Sequence, residues 1–132
     1  MTNYIPSYLA KFENSNGQAS DGILYLEYEN SVVFFEAKSS LLAVKDKYSW
    51  NKDQFKADLW KKFVEGTEEG KKEKKGITQL VATISNFCNI DKSCRKSIKG
   101  IDYSKIKYVF PVLITLEPAM DTCIMNNYLN LE

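Results

Sequence analysis

The apolar residues of this chain follow a strand-like spacing in some stretches and a helix-like spacing in others. Two runs rich in Ile, Leu, Val, Tyr and Phe, residues 22–28 and 32–37, flank a polar turn and predict a β-hairpin. Residues 106–116 form a nearly continuous apolar run, which predicts a strand covered on both faces. Pro111 lies inside this run and favours an edge position, a bulge or a break, because proline has no N–H for the ladder.

Three other segments carry apolar residues three and four positions apart, which is the spacing of an amphipathic helix. They predict helices over residues 4–13, 52–65 and 77–88. Gly66 is well placed to end the second of these helices. The segments without a clear period are expected to be irregular, and they are 39–51, 67–76 and 89–105.

The predicted order of elements is α, β, β, α, α, β, with a further strand near residues 123–129. Helices and strands mixed in this way predict the α/β class. The chain has 132 residues, no internal repeat and no long linker, so a single domain over residues 1–132 is expected. This domain is either a whole protein or a piece of a longer one.

The composition excludes histidine-dependent sites, and it argues against a disulfide framework, a secretory signal and a membrane span. The chain has no histidine, so Ser-His-Asp and Cys-His catalysis and histidine metal sites are excluded. The cysteines are odd in number and loosely spaced, which argues against a disulfide framework and for the reducing cytoplasm; they are Cys88, Cys94 and Cys123. The first residues lack a secretory signal, and no apolar run approaches the ~20 residues that span a bilayer.

The positive charge is concentrated in the middle of the chain. The net charge is +1, but residues 38–107 carry seventeen Lys or Arg against nine acids, a balance of +8. Such a block favours a polyanionic partner, and solvated lysine faces are the alternative. The candidates for nucleic-acid contacts in the charged stretch are Lys71, Lys72, Lys74 and Lys75.

The end of the predicted hairpin gathers two acids and a lysine. Side chains on a strand alternate between faces, so Glu36 and Lys38 point the same way. A turn centred on residues 29–30 pairs Asp21 with Lys38 and Ile23 with Glu36, which brings the charged side chains together. Two carboxylates beside an ammonium suit Mg²⁺, which binds oxygen ligands and keeps several waters. The alternative is a turn aspartate next to an exposed ion pair worth under about 1 kcal/mol.

Asp21, followed by Glu36-Ala37-Lys38 at the end of an apolar strand and by a helix with Gln79, resembles the PD-(D/E)XK nuclease superfamily. Ser20 stands where the signature has proline. The resemblance implies a restriction-endonuclease-like core, in which a mixed central β-sheet is flanked by helices in the order α-β-β-(β)-α-β. It also implies a nuclease that hydrolyses phosphodiester bonds, in DNA rather than RNA. A non-catalytic module that binds nucleic acid or protein on the same scaffold is the alternative.

The resemblance also implies a role for each matching residue. Asp21 and Glu36 would bind Mg²⁺ or its substitute Mn²⁺, aided by the main-chain carbonyl of Ala37. Lys38 would position or activate the attacking water, and Gln79 would help to hold that water or the lysine. Many relatives act as homodimers, and the sequence leaves the oligomeric state open.

Glu13 is a further candidate. It would take the part of an acid that some members of the superfamily carry on the first helix. As an additional metal ligand or acid, it would have to approach the pair formed by Asp21 and Glu36.

Overall fold

The chain is described here by a computed structural model. The described residues are 2–6, 9–13, 18–48, 51–68, 71–74, 76–89, 93 and 95–118, without the side chains of 46, 66–68 and 71–74. The elements in chain order are β1 (Thr2–Pro6), β2 (Gly22–Leu26), β3 (Ser31–Lys38), α1 (Val44–Tyr48), α2 (Lys52–Leu59), a π-helical turn (Trp60–Val64), β4 (Glu65–Glu68), β5 (Lys71–Lys74), α3 (Gly76–Phe87), a 3₁₀ turn (Tyr103–Lys105) and β6 (Tyr108–Thr115).

A four-stranded mixed sheet organises these elements in the order β1-β2-β3-β6. β2 is antiparallel to both β1 and β3, whereas β3 and β6 are parallel. A parallel pair requires a long crossover, and the helices α1, α2 and α3 all lie in the chain between β3 and β6. The predicted α/β class is confirmed, with a mixed sheet at its centre.

The hairpin of β2 and β3 pairs its residues in a different register from the one that the sequence predicts. It pairs Ile23 with Phe34 across a turn at residues 27–30, in which Asn30 takes a left-handed φ of 52°. The predicted pairing of Ile23 with Glu36 is therefore wrong by two residues. Because side chains alternate with period two, a shift of two leaves each of them on its predicted face.

The core lies between one face of this hairpin and α3. Ile23, Tyr25, Val32 and Phe34 are at most 5% exposed and form a contiguous cluster with Phe87 of α3. The rings of Phe34 and Phe87 meet edge to face, with centroids 5.2 Å apart. Each such side chain contributes roughly 1.5–3 kcal/mol by its burial. The same face of β3 therefore fixes α3 over the sheet.

The N-terminal segment 4–13 is not the predicted helix. Its first part belongs to β1, an edge strand in which Tyr4 pairs with Leu24. The Tyr4 ring lies over Gly22, where an added Cβ would come within 3.1 Å of the tyrosine hydroxyl. Pairing with a distant strand thus overrides the local helical spacing, as aromatic and β-branched residues permit.

The middle of the chain contains more regular structure than its pattern indicated. The predicted helix at 52–65 is confirmed as α2 and the π-helical turn, and the one at 77–88 as α3. The π-helical turn ends before Gly66, because Glu65 already begins β4. The stretch 67–76 was expected to be irregular, but it contains the end of β4 and all of β5, which pair with each other. The expected irregular stretch 39–51 contains α1. Within the described ranges, no helix has the length and apolar character needed to cross a bilayer.

β6 confirms the predicted strand and, in the sheet formed by the described residues, the edge position favoured by Pro111, since it is the outer strand of that sheet next to β3. The prediction that both faces are covered is wrong. Leu113 packs into the core, but Tyr108, Phe110 and Ile114 are 59%, 48% and 51% exposed. The apolar run therefore reflects one buried face and one accessible face.

Among the described residues, the cysteine is Cys88, and its thiol is free. Burial raises the pKa of this thiol, although the nearby charge of Arg95 acts in the opposite direction. A raised pKa leaves little reactive thiolate at neutral pH, so Cys88 serves packing beside the core. Cys94, Cys123 and the strand predicted near 123–129 lie outside the described residues.

A buried carboxylate fastens the end of the sheet. Glu117, two residues beyond β6, is 2% exposed and forms an ion pair of 2.8 Å with Lys47 of α1. Its Oε2 also accepts the N–H of Leu42 at 2.6 Å, and Asp58 accepts the N–H of Ala43 at 2.9 Å. The bonds of Glu117 hold the segment that follows β3 against the end of β6, and the bond of Asp58 holds it against α2.

Replacing Glu117 with glutamine tests this fastening. The substitution keeps the side-chain shape but leaves the Lys47 ammonium, which is 21% exposed, without its compensating charge. We expect the free energy of unfolding to fall by about 3 kcal/mol, measured by urea denaturation. The control is Glu27→Gln in the exposed hairpin turn, with an expected change within about 0.5 kcal/mol. Equal stability of the two variants would show that the buried ion pair does not hold this end of the fold.

Candidate functional site

A cavity of about 370 Å³ opens where the end of the hairpin meets α3. This volume falls in the range of small-molecule and cofactor sites. Four residues predicted from the sequence line it, and they are Asp21, Glu36, Lys38 and Gln79. The structure therefore gathers, around one space, side chains that lie up to 58 positions apart in the chain.

Glu36 and Lys38 reach this cavity because they continue the buried face of β3. Val32 and Phe34 occupy the preceding positions on that face, and both are fully buried. Glu36 follows at 5% exposure, and its carboxylate is 2.8 Å from the Lys38 ammonium. A carboxylate with so little access to water needs such a partner, since an isolated buried charge is strongly disfavoured. The ion pair thus lies at the border between core and cavity.

Asp21 is fixed beside the same stretch of β3 by hydrogen bonds. Its N–H donates to the carbonyl of Phe35 at 3.0 Å, and its Oδ2 accepts the N–H of Ala37 at 2.7 Å. Its Oδ1 accepts from Nε2 of Gln18 at 3.1 Å. Asp21 therefore lies next to residues 35–37. The predicted register had placed it opposite Lys38. The role expected for the Ala37 carbonyl stays a prediction.

Gln79 approaches the cavity from α3. It lies outside the apolar stripe of the helix, which faces the core through residues such as Leu80 and Phe87. Its Oε1 is buried and has no hydrogen-bond partner among the described residues. A buried amide oxygen without a donor costs about 1–3 kcal/mol, so this atom favours the arrival of a donor in the cavity. A water molecule or a ligand would supply it.

Gly76, which the sequence did not point to, sets the distance between α3 and the lysine. An added Cβ at this position would lie 2.9 Å from Cδ1 of Leu113 and 3.1 Å from Cγ of Lys38. Contacts under about 3.0 Å require a shift of the neighbouring atoms. The first residue of α3 therefore packs directly on the aliphatic stem of Lys38. The sequence feature that could have indicated this close approach is a glycine at the start of a predicted helix, directly after a basic stretch.

Lys96, Asn86 and Gln18 also line the cavity and were not predicted. Lys96 lies in the basic stretch 89–105, which has no hydrophobic period and so gave no indication of where its side chains point. Asn86 is on α3, seven residues after Gln79 and therefore on a neighbouring part of the same helical face. The position of these residues depends on contacts between distant segments.

Glu13 does not join the site. Its N–H donates to the carbonyl of Ser97 at 2.8 Å, and its carboxylate accepts from the Ser97 hydroxyl. It does not line the cavity, and the helix that was expected to carry it is absent from the described residues. Four lysines were predicted to contact nucleic acid. The structure describes the backbone but not the side chains of Lys71, Lys72 and Lys74, and Lys75 lies outside the described residues.

The residues of the cavity fit a hard divalent cation that retains part of its hydration. Mg²⁺ commonly binds through one or two carboxylates together with waters and phosphate oxygens. Asp21 and Glu36 supply two carboxylates, and Oε1 of Gln79 is available to accept from a bound water. No group of three or more Asp, Glu, Cys or His residues in the described part of the chain is placed to hold a metal ion, so a cation at Asp21 and Glu36 would take its other ligands from water or phosphate.

Comparison with known proteins gave no family model, no curated protein and no solved structure that matches this chain. The restriction-endonuclease-like fold therefore stays a prediction beyond the α/β class. What the site does has to be inferred from its own residues and their contacts.

Substitution of Gly76 by alanine tests the packing of α3 on Lys38. Alanine has the higher helix propensity, yet we expect the free energy of unfolding to fall by about 1–3 kcal/mol, because the added methyl group overpacks the contact. The loss should be smaller in a Lys38→Ala background, where part of the clash is gone. Urea denaturation of the four chains gives this coupling as a double-mutant cycle. Stabilisation by Gly76→Ala in both backgrounds would contradict the close approach.

Proposed function

We propose that this domain is a Mg²⁺-dependent phosphodiester hydrolase that acts on nucleic acid, with DNA as the substrate. One observation carries the proposal. Asp21, Glu36 and Lys38 share a single cavity with a buried amide oxygen of Gln79 that has no partner among the described residues. Two carboxylates, an ammonium and an acceptor for a water molecule are groups that metal-assisted hydrolysis can use.

Asp21 and Glu36 are the residues that would hold the cation. When bound, Mg²⁺ polarises a phosphoryl oxygen and lowers the pKa of a coordinated water. Asp21 is already oriented by the N–H of Ala37, which leaves a lone pair on each carboxylate oxygen for coordination. The near-complete burial of Glu36 lowers the local dielectric, and this strengthens its attraction for a cation.

Lys38 and Gln79 would act on the attacking water and on the developing negative charge. The Lys38 ammonium is held 2.8 Å from Glu36 and the aliphatic stem of Lys38 packs against Gly76, so the ammonium remains at the cavity wall. A fixed cation at this place stabilises negative charge that develops on the phosphate. Gln79 Oε1 would accept a hydrogen bond from the water and so orient it.

Nucleic acid is proposed as the substrate because of the charge of the central block, and DNA rather than RNA follows from the resemblance to the PD-(D/E)XK superfamily. Residues 38–107 carry seventeen basic residues against nine acidic ones. Basic side chains hold the phosphate backbone, and such binding weakens as the salt concentration rises.

The free thiol of Cys88 fits the reducing cytoplasm, where we place this activity.

A non-catalytic nucleic-acid- or protein-binding module is the second candidate, and one observation favours it. Both carboxylates of the site already have protein partners. Glu36 is paired with Lys38, and Asp21 accepts from Ala37 and Gln18. A site satisfied in this way is stable without a metal ion, so binding and cleavage have to be measured separately.

Cleavage of DNA tests the hydrolase. Plasmid, linear duplex and single-stranded DNA are incubated with the protein in Mg²⁺ and in EDTA. Glu36→Gln and Lys38→Ala should each reduce the Mg²⁺-dependent rate by about a hundredfold or more, because each removes a group that acts on the reacting phosphate. Glu29→Gln, in the exposed hairpin turn, is the control and should leave the rate unchanged. Full activity in either site variant would reject the assignment.

Binding of Mn²⁺ separates the two candidates without reference to activity. The electron paramagnetic resonance signal of free Mn²⁺ falls as the ion binds. We expect Asp21→Asn to weaken this binding by about tenfold or more, because a charged ligand is lost. The fold should be kept, since the asparagine carbonyl still accepts from Ala37. Identical Mn²⁺ affinity in the two proteins, or no binding by either, would favour the non-catalytic module.

A further inference from the structure

A second lysine lines the cavity from a different part of the chain. Lys96 follows α3, and its N–H donates to the carbonyl of Asn86 at 3.0 Å. Its ammonium lies 5.6 Å from the centroid of the Phe12 ring, which is itself 6% exposed. The main-chain bond to α3 places residue 96 beside the cavity, and its ammonium lies within the range of a cation–π contact with Phe12.

The two lysines of the cavity differ in their partners. The Lys38 ammonium is taken up by Glu36 at 2.8 Å. Lys96 is solvent-exposed and forms no ion pair with a carboxylate of the described residues. Its positive charge is therefore available to an anion that enters the cavity.

The charges of the cavity lining indicate where an anion would be held. Lys38 is paired with Glu36, whereas Lys96 has no carboxylate partner among the described residues. The charge of Lys96 is therefore available to a phosphate whether or not a cation is bound at Asp21 and Glu36. The scissile phosphate belongs at the carboxylates, which leaves Lys96 for the next one.

We propose that Lys96 forms a second phosphate subsite, which binds the backbone phosphate adjacent to the scissile one. This subsite rests on the proposed function, because it takes the carboxylates as the place of cleavage. Asn86 lines the same cavity and supplies a neutral amide donor beside the strand. Lys96 belongs to no part of the Asp and Glu-X-Lys pattern and acts by binding rather than by chemistry.

Binding of DNA in EDTA tests the subsite without any contribution from cleavage. The probe is a short fluorescein-labelled DNA duplex, and the anisotropy is followed over a series of salt concentrations with the full chain. Lys96→Gln should weaken binding by roughly tenfold at low salt and lower the slope of log affinity against log salt by about one. Lys99→Gln is the matched control, because it removes the same charge from an exposed position three residues away that does not line the cavity.

Two outcomes would overturn the subsite. One is an equal loss of affinity in Lys96→Gln and Lys99→Gln, which would mean that Lys96 contributes only to the general charge. The other is an Lys96→Arg variant that binds as weakly as Lys96→Gln, since a phosphate contact is retained by arginine. Circular dichroism of each variant checks that the fold is intact.

Steady-state kinetics distinguish a failure of the subsite from a failure of the proposed function. With Mg²⁺ present, Lys96→Gln should raise KM several-fold and leave kcat nearly unchanged, because the contact is made equally in the ground and transition states. If Glu36→Gln abolishes cleavage while Lys96→Gln behaves as Lys99→Gln, the hydrolase stands and the subsite is wrong. If Glu36→Gln cleaves normally, the proposed function is wrong, whatever Lys96 does.

Discussion

The alternation of side chains along β3 is the constraint on which both the core and the site depend. One face of this strand presents Val32 and Phe34 to α3 and then, without changing direction, Glu36 and Lys38 to the cavity. A slip of one residue would turn Val33 and Phe35 toward α3 and would move Glu36 and Lys38 away from the cavity. One strand register therefore sets both which apolar side chains form the core and where the charged groups point. Stability and chemistry are set by the same register.

The second consequence of this arrangement is electrostatic. Because Glu36 follows directly after the apolar layer, it is almost fully removed from water and has Lys38 at 2.8 Å as its compensating charge. Polar interactions are stronger in such surroundings than at the surface, and an unsatisfied group is correspondingly more costly. The unpartnered oxygen of Gln79 is the visible sign that the described side chains leave this network incomplete.

Local patterns were sufficient for much of the fold and for part of the site. The hairpin, α2, α3, β6 and the common face of Asp21, Glu36 and Lys38 all follow from spacing within short segments. Elements that depend on distant partners were missed. The local spacing predicts a helix where β1 lies, because the pairing of β1 with β2 leaves no signal within the segment itself, and no sequence pattern indicates the position of Lys96. The buried role of Glu117 likewise arises only when α1 and the end of β6 come together.

Pro111 has an effect that extends beyond the sheet to which it belongs. It lies near the middle of β6, which is an outer strand with accessible aromatic side chains such as Tyr108 and Phe110. Exposed strands of this kind act as templates for neighbouring molecules unless something interrupts them. Proline provides the interruption because it withholds a donor at one rung, so an added chain would find only short uninterrupted stretches on either side. Within the described residues, Pro111 therefore limits the length of β6 with which another strand could pair.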